Sequence, residues 1–255
     1  MELTPAVDVA GGAERRRGVT RERPRWRSYL LLSRVSNLPT VWSNVLAGTV
    51  AAHAALNWPD VVRLAAGVSL LYTAGMFFND VFDRDSDAVE RPDRPIPAGD
   101  VHLGVVVVAA SAMMALGMAV VAWPRGAGAP LAWSTVLVAA ILFYNYRHKR
   151  NPFGPLVMGI CRGLVYCVVA SAVATTVGPP VFAAAAGLVI YVLALTEVAK
   201  RVGPRAGVVV PLLIAGISLF DAAVIGLNGG GGGLVIAAAV GFPLTLILQR
   251  VVPGT

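Results

Sequence analysis

The sequence predicts an all-α fold, a polytopic transmembrane bundle of about eight helices, with nine as the alternative. Of the 255 residues, 56% are hydrophobic and only 14% are charged, whereas a soluble domain carries about a quarter charged residues. Apolar segments of the length that a bilayer requires recur along most of the chain, and arginines concentrate in the N-terminal tail and in alternate loops. We therefore expect a single transmembrane domain over residues 28–255.

The order of the segments follows from hydropathy. Residues 1–27 are rich in arginine, glycine and glutamate and lack apolar periodicity, which predicts a disordered basic tail. Beyond the tail, apolar runs of roughly 17–25 residues predict membrane-spanning helices, because a helix satisfies its own backbone hydrogen bonds in lipid. The predicted spans are 29–55, 61–84, 101–123, 130–147, 153–175, 180–200, 207–227 and 232–250.

Positive charge is distributed unevenly between the two ends of the predicted bundle. The tail, the loops after the second, fourth and sixth spans and the end of the last span are basic, whereas the opposite loops hold only Arg63 and Arg125. The positive-inside rule predicts that both termini and the loops of the site face the cytoplasm. We expect a multi-pass protein of a bacterial plasma membrane, surrounded by lipid, and this distribution of charge does not indicate nucleic-acid binding.

An acidic stretch directly follows the apolar part of the second predicted span. Half of the 14 acidic residues lie between Asp80 and Asp100. Asn79, Asp83 and Asp87 recur at intervals of four, so a helix presents them on one face, with Asp80 beside them. Carboxylate and amide oxygens suit Mg²⁺, which removes the repulsion between the acids and also binds phosphate oxygens. The pattern predicts a metal site formed by Asn79, Asp80, Asp83 and Asp87.

Two arginines follow the acidic stretch in a proline-rich segment. Arg91 and Arg94 each precede a proline, which favours an extended turn over further helix. Guanidinium groups bind phosphate oxygens in a bidentate manner, so both side chains are candidates for diphosphate binding. The alternative interpretation is a solvated acidic loop in which the arginines only pair with the acids.

The acidic stretch 79–87 reads N-D-x-x-D-x-x-x-D and is followed by the Arg-Pro segment 91–97. Together they resemble the first aspartate-rich motif of the UbiA superfamily of membrane prenyltransferases. The resemblance extends over most of the chain, from Arg34 and Asn37 in the first span to the end. The stretch 159–164 further resembles the EboC-like subgroup of that superfamily.

The resemblance implies a reaction. Mg²⁺ bound by the aspartates holds a prenyl diphosphate, diphosphate leaves, and an acceptor that is lipid-soluble or aromatic attacks the allylic cation. Asp80, Asp83 and Asp87 would then be catalytic as well as metal ligands. Aromatic faces stabilise such a cation, which makes Tyr72 and Tyr144 candidates for the substrate site, with core packing as the alternative for each. A CDP-alcohol phosphotransferase also uses membrane aspartates, but its Asp-Gly-x-x-Ala-Arg opening is absent from this sequence.

The second half of the chain departs from the family pattern. Where a second motif with two acids four apart is expected, the only acid is Glu197, followed by Lys200 and Arg201. We expect these two cations to bind phosphate oxygens directly. The family's Tyr-x-x-x-Lys element is displaced, because Lys149 follows Tyr144 at an interval of five, and we keep Lys149 as a substrate-binding candidate. These departures leave a second hypothesis, a non-catalytic relative that binds or exports a prenylated or lipid-like metabolite.

Polar residues inside the predicted spans need separate interpretation, since a charge at mid-bilayer costs roughly 2.5–3.5 kcal/mol on insertion scales. Arg162 is expected to pair with Glu197 or to reach the diphosphate, and we assign both residues to the catalytic group. Asn37 is a candidate for lining the substrate cavity, with a helix–helix hydrogen bond as the alternative. Asp221 is expected to form a structural pair, with Arg63 as a candidate partner.

Overall fold

A computed structural model describes residues 24–147 and 152–254, without the side chain of Arg147. Within these ranges every regular element is helical, which confirms the predicted all-α fold. Residues 1–23 of the predicted tail lie outside the described ranges, and the first helix begins at Arg25. The helices are α1 (Arg25–Ser33), α2 (Leu38–Ala51), α3 (Trp58–Glu90), α4 (Leu103–Ala122), α5 (Ala129–Arg147), α6 (Gly154–Val173), α7 (Pro179–Arg201), α8 (Ala206–Ala215), α9 (Ile217–Leu227), α10 (Gly232–Ala239) and α11 (Gly241–Gln249).

Seven helical segments in the described part of the chain are long and apolar enough to cross a membrane. They are α3 to α7, the pair α8–α9 and the pair α10–α11. The first predicted span is divided, because α2 has only 14 residues, about 21 Å of helix, and α1 precedes it across a break at Arg34. Each of the eight predicted spans therefore matches a helix or a pair of helices, and the chain is an integral multi-pass membrane protein.

The helix α3 positions the acidic stretch. Its 33 residues extend over about 50 Å, which exceeds a hydrocarbon layer of roughly 30 Å. Pro59 lies in the first turn, where a backbone amide has no partner within the helix. The helix ends at Glu90 because Arg91 precedes Pro92 and adopts an extended φ of −145°. The apolar part of α3 can therefore span the membrane while its C-terminal turns carry the acids to one end of the bundle.

The helices α2 and α6 form the centre of the bundle. Both contribute to two adjoining hydrophobic clusters, one shared with α7 and α9 and the other shared with α3 and α5. Tyr166 of α6 is fully buried in the first cluster, and Val45 of α2 is fully buried in the second. Polar side chains of these two helices, among them Ser43, Asn44 and Tyr166, are consequently buried against other protein groups.

The helices α3 and α4 approach closely at two glycines. A Cβ atom added to Gly67 would lie 2.9 Å from the Val121 Cγ2 atom, and one added to Gly117 would lie 2.9 Å from the Gly67 carbonyl oxygen. Small residues at such contacts allow helix backbones to pack together in lipid. The contact fixes the apolar half of α3, on which the position of the acidic half depends.

We predict that Gly117→Ala lowers the melting temperature of the detergent-solubilised protein. The added methyl group meets the Gly67 carbonyl and the Leu71 side chain, and overpacking of this kind costs about 1–3 kcal/mol. The matched control is Gly207→Ala in α8, where no atom lies within 4 Å of the added Cβ. A Gly117→Ala protein that melts at or above the wild-type temperature would contradict the close approach of α3 and α4.

Candidate functional site

A cavity of about 1000 Å³ lies between the C-terminal turns of α3 and the surrounding helices. Charged side chains line one end, which we call the mouth, and mostly apolar side chains line the remainder, which we call the interior. The cavity thus joins a charged entrance to a hydrocarbon-lined chamber. Residues that line the interior include Val41, Val68, Leu71, Leu137, Ile141, Val165 and Val192.

The predicted metal-site residues all line the mouth of this cavity. Asn79, Asp80, Asp83 and Asp87 are buried, with between 2% and 7% of their surface exposed. Their spacing places them on one face of α3, whereas the Asp85 side chain, on another face, is 88% exposed. Carboxylates buried to this degree require charged or hydrogen-bonding partners.

Two arginines supply partners for the buried acids. Arg94 Nη1 donates to Asp87 Oδ2 at 2.8 Å and to Asp80 Oδ1 at 3.3 Å. Arg34 Nη2 donates to Asn79 Oδ1 at 3.1 Å and lies 3.5 Å from Asp80 Oδ1. Arg34 forms the break between α1 and α2 with a φ of 45°, in the left-handed region that non-glycine residues seldom adopt. The strained backbone therefore occurs at the residue whose side chain reaches the acids.

A chain of amide groups extends this pairing to α5. Asn79 Nδ2 donates to Asn145 Oδ1 at 3.4 Å, and Asn145 Nδ2 donates to the Gly75 carbonyl at 3.0 Å. Sequence reasoning missed Arg34 and Asn145 as site residues, although both line the cavity. The signal for Arg34 was a cation within an apolar span, which needs a partner. Asn145 gave no comparable signal, because an amide near a helix end is equally compatible with solvent.

The oxygen donors at the mouth fit magnesium by their chemistry. In the described ranges, no group of three acidic, histidine or cysteine side chains is arranged to hold one metal ion. Mg²⁺ does not need such a group, because it usually takes one or two carboxylates together with water and substrate phosphates. Metal binding by Asp80 and Asp87 would replace their present contacts with Arg94.

The structure brings other predicted substrate residues to the same cavity. Arg91 lies at the mouth, while Asn37, Tyr72, Tyr144 and Arg162 line the wall that leads to the interior. The Tyr72 hydroxyl accepts a hydrogen bond from Asn37 Nδ2 at 3.3 Å, and the Tyr144 hydroxyl lies 3.7 Å from a methionine sulfur of α6. Aromatic and cationic groups thus face a ligand that would enter between the helices.

The residues predicted near the end of α7 lie elsewhere. Arg201 Nη2 pairs with Glu197 Oε1 at 2.6 Å, Lys200 Nζ lies 3.6 Å from Glu197 Oε2, and all three side chains are more than half exposed. They do not belong to the lining of the cavity among the described residues, to which Thr196 of α7 does contribute. Lys149, the remaining predicted residue, lies outside the described ranges.

Two ion pairs considered from the sequence are wrong. Of the two alternatives for Arg162, the pair with Glu197 does not form, because Arg162 donates to polar groups of α2 while Glu197 pairs within its own helix; contact with the diphosphate stays a prediction. The candidate partner of Asp221, Arg63, binds Asp60 instead, at 2.9 Å from Nη2. The fully buried Asp221 instead accepts hydrogen bonds from hydroxyl and amide groups of α2 and α6. Among the described residues, neutral donors therefore satisfy this carboxylate without a direct cation.

Asn37 holds the segment after α11 against the cavity. Its Nδ2 donates to the Gly254 carbonyl at 3.0 Å, and its Oδ1 accepts from Gln249 Nε2 at 2.9 Å. Pro253 and Gly254 line the cavity as a result. The amide of Asn37 is thus engaged on both sides, and its role in this structure is to shape the cavity wall.

We predict that Asn37→Ala loosens this segment. Besides the bond to Tyr72, the variant removes the two hydrogen bonds to Gln249 and Gly254, which contribute about 1 kcal/mol each, so amide hydrogen exchange at Val251 and Val252 should accelerate roughly tenfold or more. Hydrogen–deuterium exchange with mass spectrometry measures this rate. Asn228→Ala, which removes a hydrogen bond within α9 and its cap, serves as the control and should leave the exchange rates at Val251 and Val252 unchanged. Equal protection of the segment in wild type and Asn37→Ala would show that Asn37 does not hold it.

The fold and the site define a helical membrane protein in which buried acids and arginines line the mouth of a mostly apolar cavity. The model of the UbiA prenyltransferase family matches residues 37–253. The chain therefore belongs to the UbiA prenyltransferase family, and the predicted resemblance is confirmed. The narrower resemblance to the EboC-like subgroup stays a prediction.

Several curated proteins are similar to this chain. A digeranylgeranylglyceryl phosphate synthase from Methanoculleus marisnigri is 30% identical over 140 residues, which cover 54% of this chain and 49% of that protein. A second synthase of that name, from Methanoregula boonei, is 39% identical over 36% of this chain and 33% of its own length. A 4-hydroxybenzoate octaprenyltransferase from Polaromonas sp. is 30% identical over 47% of this chain and 42% of that protein. The matched regions thus cover half or less of the length of each of these relatives.

Two solved structures share the fold. One comes from work on digeranylgeranylglyceryl phosphate synthase in membranes and superposes with a TM-score of 0.57 at 16% identity, covering 90% of this chain and 88% of that one. The other is an apo structure of a UbiA homologue from Aeropyrum pernix K1, with a TM-score of 0.56 at 20% identity over 83% and 87% of the two chains. At these identities the likeness shows the fold alone.

Proposed function

We propose that the protein transfers a prenyl group from a prenyl diphosphate to an acceptor in an Mg²⁺-dependent reaction. The observation that carries this proposal is the buried acidic face of α3 at the mouth of a cavity with an apolar interior. Prenyltransferases of this family generally depend on Mg²⁺. The names of the similar proteins, a digeranylgeranylglyceryl phosphate synthase and an octaprenyltransferase, support the same class of reaction.

The cavity separates the two parts of a prenyl diphosphate by their polarity. The apolar interior accepts the hydrocarbon tail, because burial of each methylene group is favourable by about 0.8 kcal/mol. The diphosphate lies at the mouth, where Arg34, Arg91 and Arg94 bind its oxygens. Asn79, Asp80, Asp83 and Asp87 would hold Mg²⁺, whose positive charge neutralises the diphosphate as it leaves.

The residues of the cavity then favour the transfer step. The bond between C1 of the prenyl chain and the diphosphate oxygen breaks, and the electron pair leaves with the oxygen. A lone pair or π electrons of the acceptor form the new bond to C1, and the acceptor releases one proton to water. The faces of Tyr72 and Tyr144 stabilise the allylic cation between these events, while the apolar lining limits its capture by water.

The orientation of the protein is part of the proposal. In the sequence, basic residues cluster in the N-terminal tail and after the second, fourth and sixth predicted spans, whereas Arg63 and Arg125 are the only arginines or lysines near the opposite ends of the spans. By the positive-inside rule, the mouth of the cavity opens toward the cytoplasm of a bacterial cell. A water-soluble diphosphate group would then enter from the cytoplasm while its tail enters from the lipid.

We predict that Asp83→Asn weakens Mg²⁺-dependent binding of geranylgeranyl diphosphate by at least about 100-fold. The variant keeps the side-chain volume but removes one negative charge and one oxygen ligand, and loss of indirect metal partners alone reaches about 10–100-fold. Isothermal titration of the detergent-solubilised protein, with and without EDTA, measures the affinity.

Asp85→Asn is the matched control for this experiment, because Asp85 lies two residues away on the same helix but is exposed and pairs with Arg84. It should bind the diphosphate as the wild type does. Removal of Mg²⁺ with EDTA should reduce wild-type binding to the level of the Asp83→Asn variant. Unchanged affinity in a folded Asp83→Asn protein would remove the metal site from the proposal.

A second candidate function is a relative that binds a prenylated or lipid-like metabolite without converting it. The observation that favours it is the position of Glu197, which pairs with Lys200 and Arg201 outside the cavity. Among the described residues, the end of α7 therefore supplies no acid to the mouth. A binding protein would need only the apolar interior and the arginines.

We predict that the protein releases diphosphate from geranylgeranyl diphosphate when Mg²⁺ and a membrane-lipid extract are present. A transferase requires the C1–O bond to break, so released diphosphate, measured by a coupled phosphate assay, must rise with time and with enzyme concentration. The Asp83→Asn protein is the negative control. Tight Mg²⁺-dependent binding without any release above that control would favour the second candidate.

A further inference from the structure

A line of hydrogen bonds joins α5 to the mouth of the cavity through two buried amides. Asn145 Nδ2 donates to the Gly75 carbonyl at 3.0 Å, and Asn145 Oδ1 accepts from Asn79 Nδ2 at 3.4 Å. We call these three groups the amide relay. At its end, Asn79 Oδ1 accepts from Arg34 Nη2 at 3.1 Å. The two asparagines are only 3% and 6% exposed, so their partners in the protein determine how their amides are oriented.

The partners at the two ends determine which atom of each amide faces which way. An amide can rotate by half a turn with little change in shape, and only its hydrogen bonds distinguish the oxygen from the nitrogen. The Gly75 carbonyl can only accept, so Asn145 must turn its nitrogen to Gly75 and its oxygen to Asn79. Asn79 must then turn its nitrogen to Asn145, which leaves its oxygen on the side of Arg34. Arg34 is donor-only and requires the same orientation.

Close packing of α3 against α5 holds the amide relay in place. Gly75 and Asn79 lie four residues apart on α3, so they share one face of that helix. Ile141 and Asn145 have the same spacing on α5. A Cβ atom added to Gly75 would lie 3.1 Å from the Ile141 Cγ2 atom. The absence of a side chain at Gly75 therefore brings α5 near enough for Asn145 to reach the backbone of α3.

The orientation of the Asn79 amide depends on Asn145 once Arg34 binds another group. In the proposed function the arginines of the mouth bind diphosphate oxygens, and Arg34 then no longer fixes the Asn79 oxygen. The bond from Asn79 Nδ2 to Asn145 remains and keeps that oxygen on the side of the mouth. An amide oxygen is a ligand for Mg²⁺, whereas the two hydrogens of an amide nitrogen repel a cation. The relay thus determines whether Asn79 offers the metal a ligand or a donor.

We propose that Asn145 is a positioning residue for the magnesium site: its amide, anchored on the Gly75 carbonyl, keeps the oxygen of Asn79 available to the metal. This inference rests on the proposed transferase function. Asn145 acts through Asn79 and needs no contact with the metal itself. A residue of α5 therefore sets the metal affinity of a site whose ligands all lie on α3.

The Mg²⁺ requirement of diphosphate binding measures this role. Radiolabelled geranylgeranyl diphosphate is bound to the full chain in neutral detergent, and the Mg²⁺ concentration that gives half-maximal binding is determined. We expect Asn145→Leu to raise this concentration about tenfold or more, because loss of a group that orients a metal ligand typically lowers metal affinity by about 10–100-fold. At saturating Mg²⁺ the affinity for geranylgeranyl diphosphate should remain that of the wild type, because the arginines that bind phosphate are unchanged.

A double-mutant cycle with Asn79 separates positioning from packing. Asn79→Asp presents an oxygen in either orientation and needs no partner to turn it. Asn145→Leu should therefore leave the Mg²⁺ requirement of the Asn79→Asp protein unchanged, or lower it, since it also removes an oxygen that faces the new carboxylate. An equal increase in both backgrounds would show that Asn145 only supports the packing of α5, and it would overturn the inference. Loss of Mg²⁺-dependent binding in Asn79→Asp alone would also overturn it, because the carboxylate oxygens should still be ligands.

Thr135→Val is the matched control on the same helix. It removes a hydrogen bond from the exposed Thr135 hydroxyl to the Leu131 carbonyl, within α5 and away from the amide relay. It should change neither the Mg²⁺ requirement nor the affinity at saturating Mg²⁺. If Asn145→Leu does not fold, Asn145→Ala removes the same amide without adding an apolar branch, and the same cycle with Asn79→Asp applies.

Failure of this inference and failure of the proposed function give different results. If the wild type requires Mg²⁺ for binding and Asn145→Leu has the same requirement, the positioning role is wrong and the proposed function stands. If Asn145→Leu loses affinity for the diphosphate at saturating Mg²⁺ as well, its effect is not specific to the metal and the positioning role is again wrong. If the wild type binds geranylgeranyl diphosphate without any dependence on Mg²⁺, the proposed function fails and the positioning role fails with it.

Discussion

The pairing of the buried acids of α3 with two guanidinium groups determines how this cavity is built. Asp80 and Asp87 are almost fully buried at the mouth, and a buried carboxylate without a partner is strongly destabilising. Arg94 comes from the loop after α3, and Arg34 comes from the break between α1 and α2. Because both cations must reach one helix face, the loop folds back over the mouth and the first span is interrupted.

In the proposed function, the same pairing would prepare the site for an anionic ligand. A buried ion pair contributes little net stability, since desolvation offsets much of the attraction. Exchange of partners at the mouth, in which the acids bind a metal and the arginines bind phosphate, therefore replaces one balanced arrangement with another. The guanidinium groups of Arg34 and Arg94 are already held beside the place where a diphosphate would lie, which reduces the entropy that ligand binding would lose.

The sequence predicted those features that depend on local periodicity. The apolar runs predicted the seven segments that can cross a membrane and the region of α1 and α2, and the four-residue interval predicted the face of α3 that carries the acids. The sequence did not predict contacts between segments that are distant along the chain. Asp221 accepts hydrogen bonds from α2 and α6, and no pattern in the sequence specifies those contacts. Glu197 was assigned to the site from its place in the family pattern. Its own helix supplies cations three and four residues later, and these nearer partners hold it outside.

The mouth of the cavity and its wall balance buried charge in different ways. At the mouth Asp80 and Asp87 contact Arg94 directly, so a metal bound by these two acids would displace that cation. In the wall the Asn44 amide separates Asp221 from Arg162, so the two charges balance each other without a direct ion pair. The charge of Arg162 is therefore balanced through neutral groups, whereas the charges of the mouth are balanced by ion pairs that the proposed metal and diphosphate would exchange.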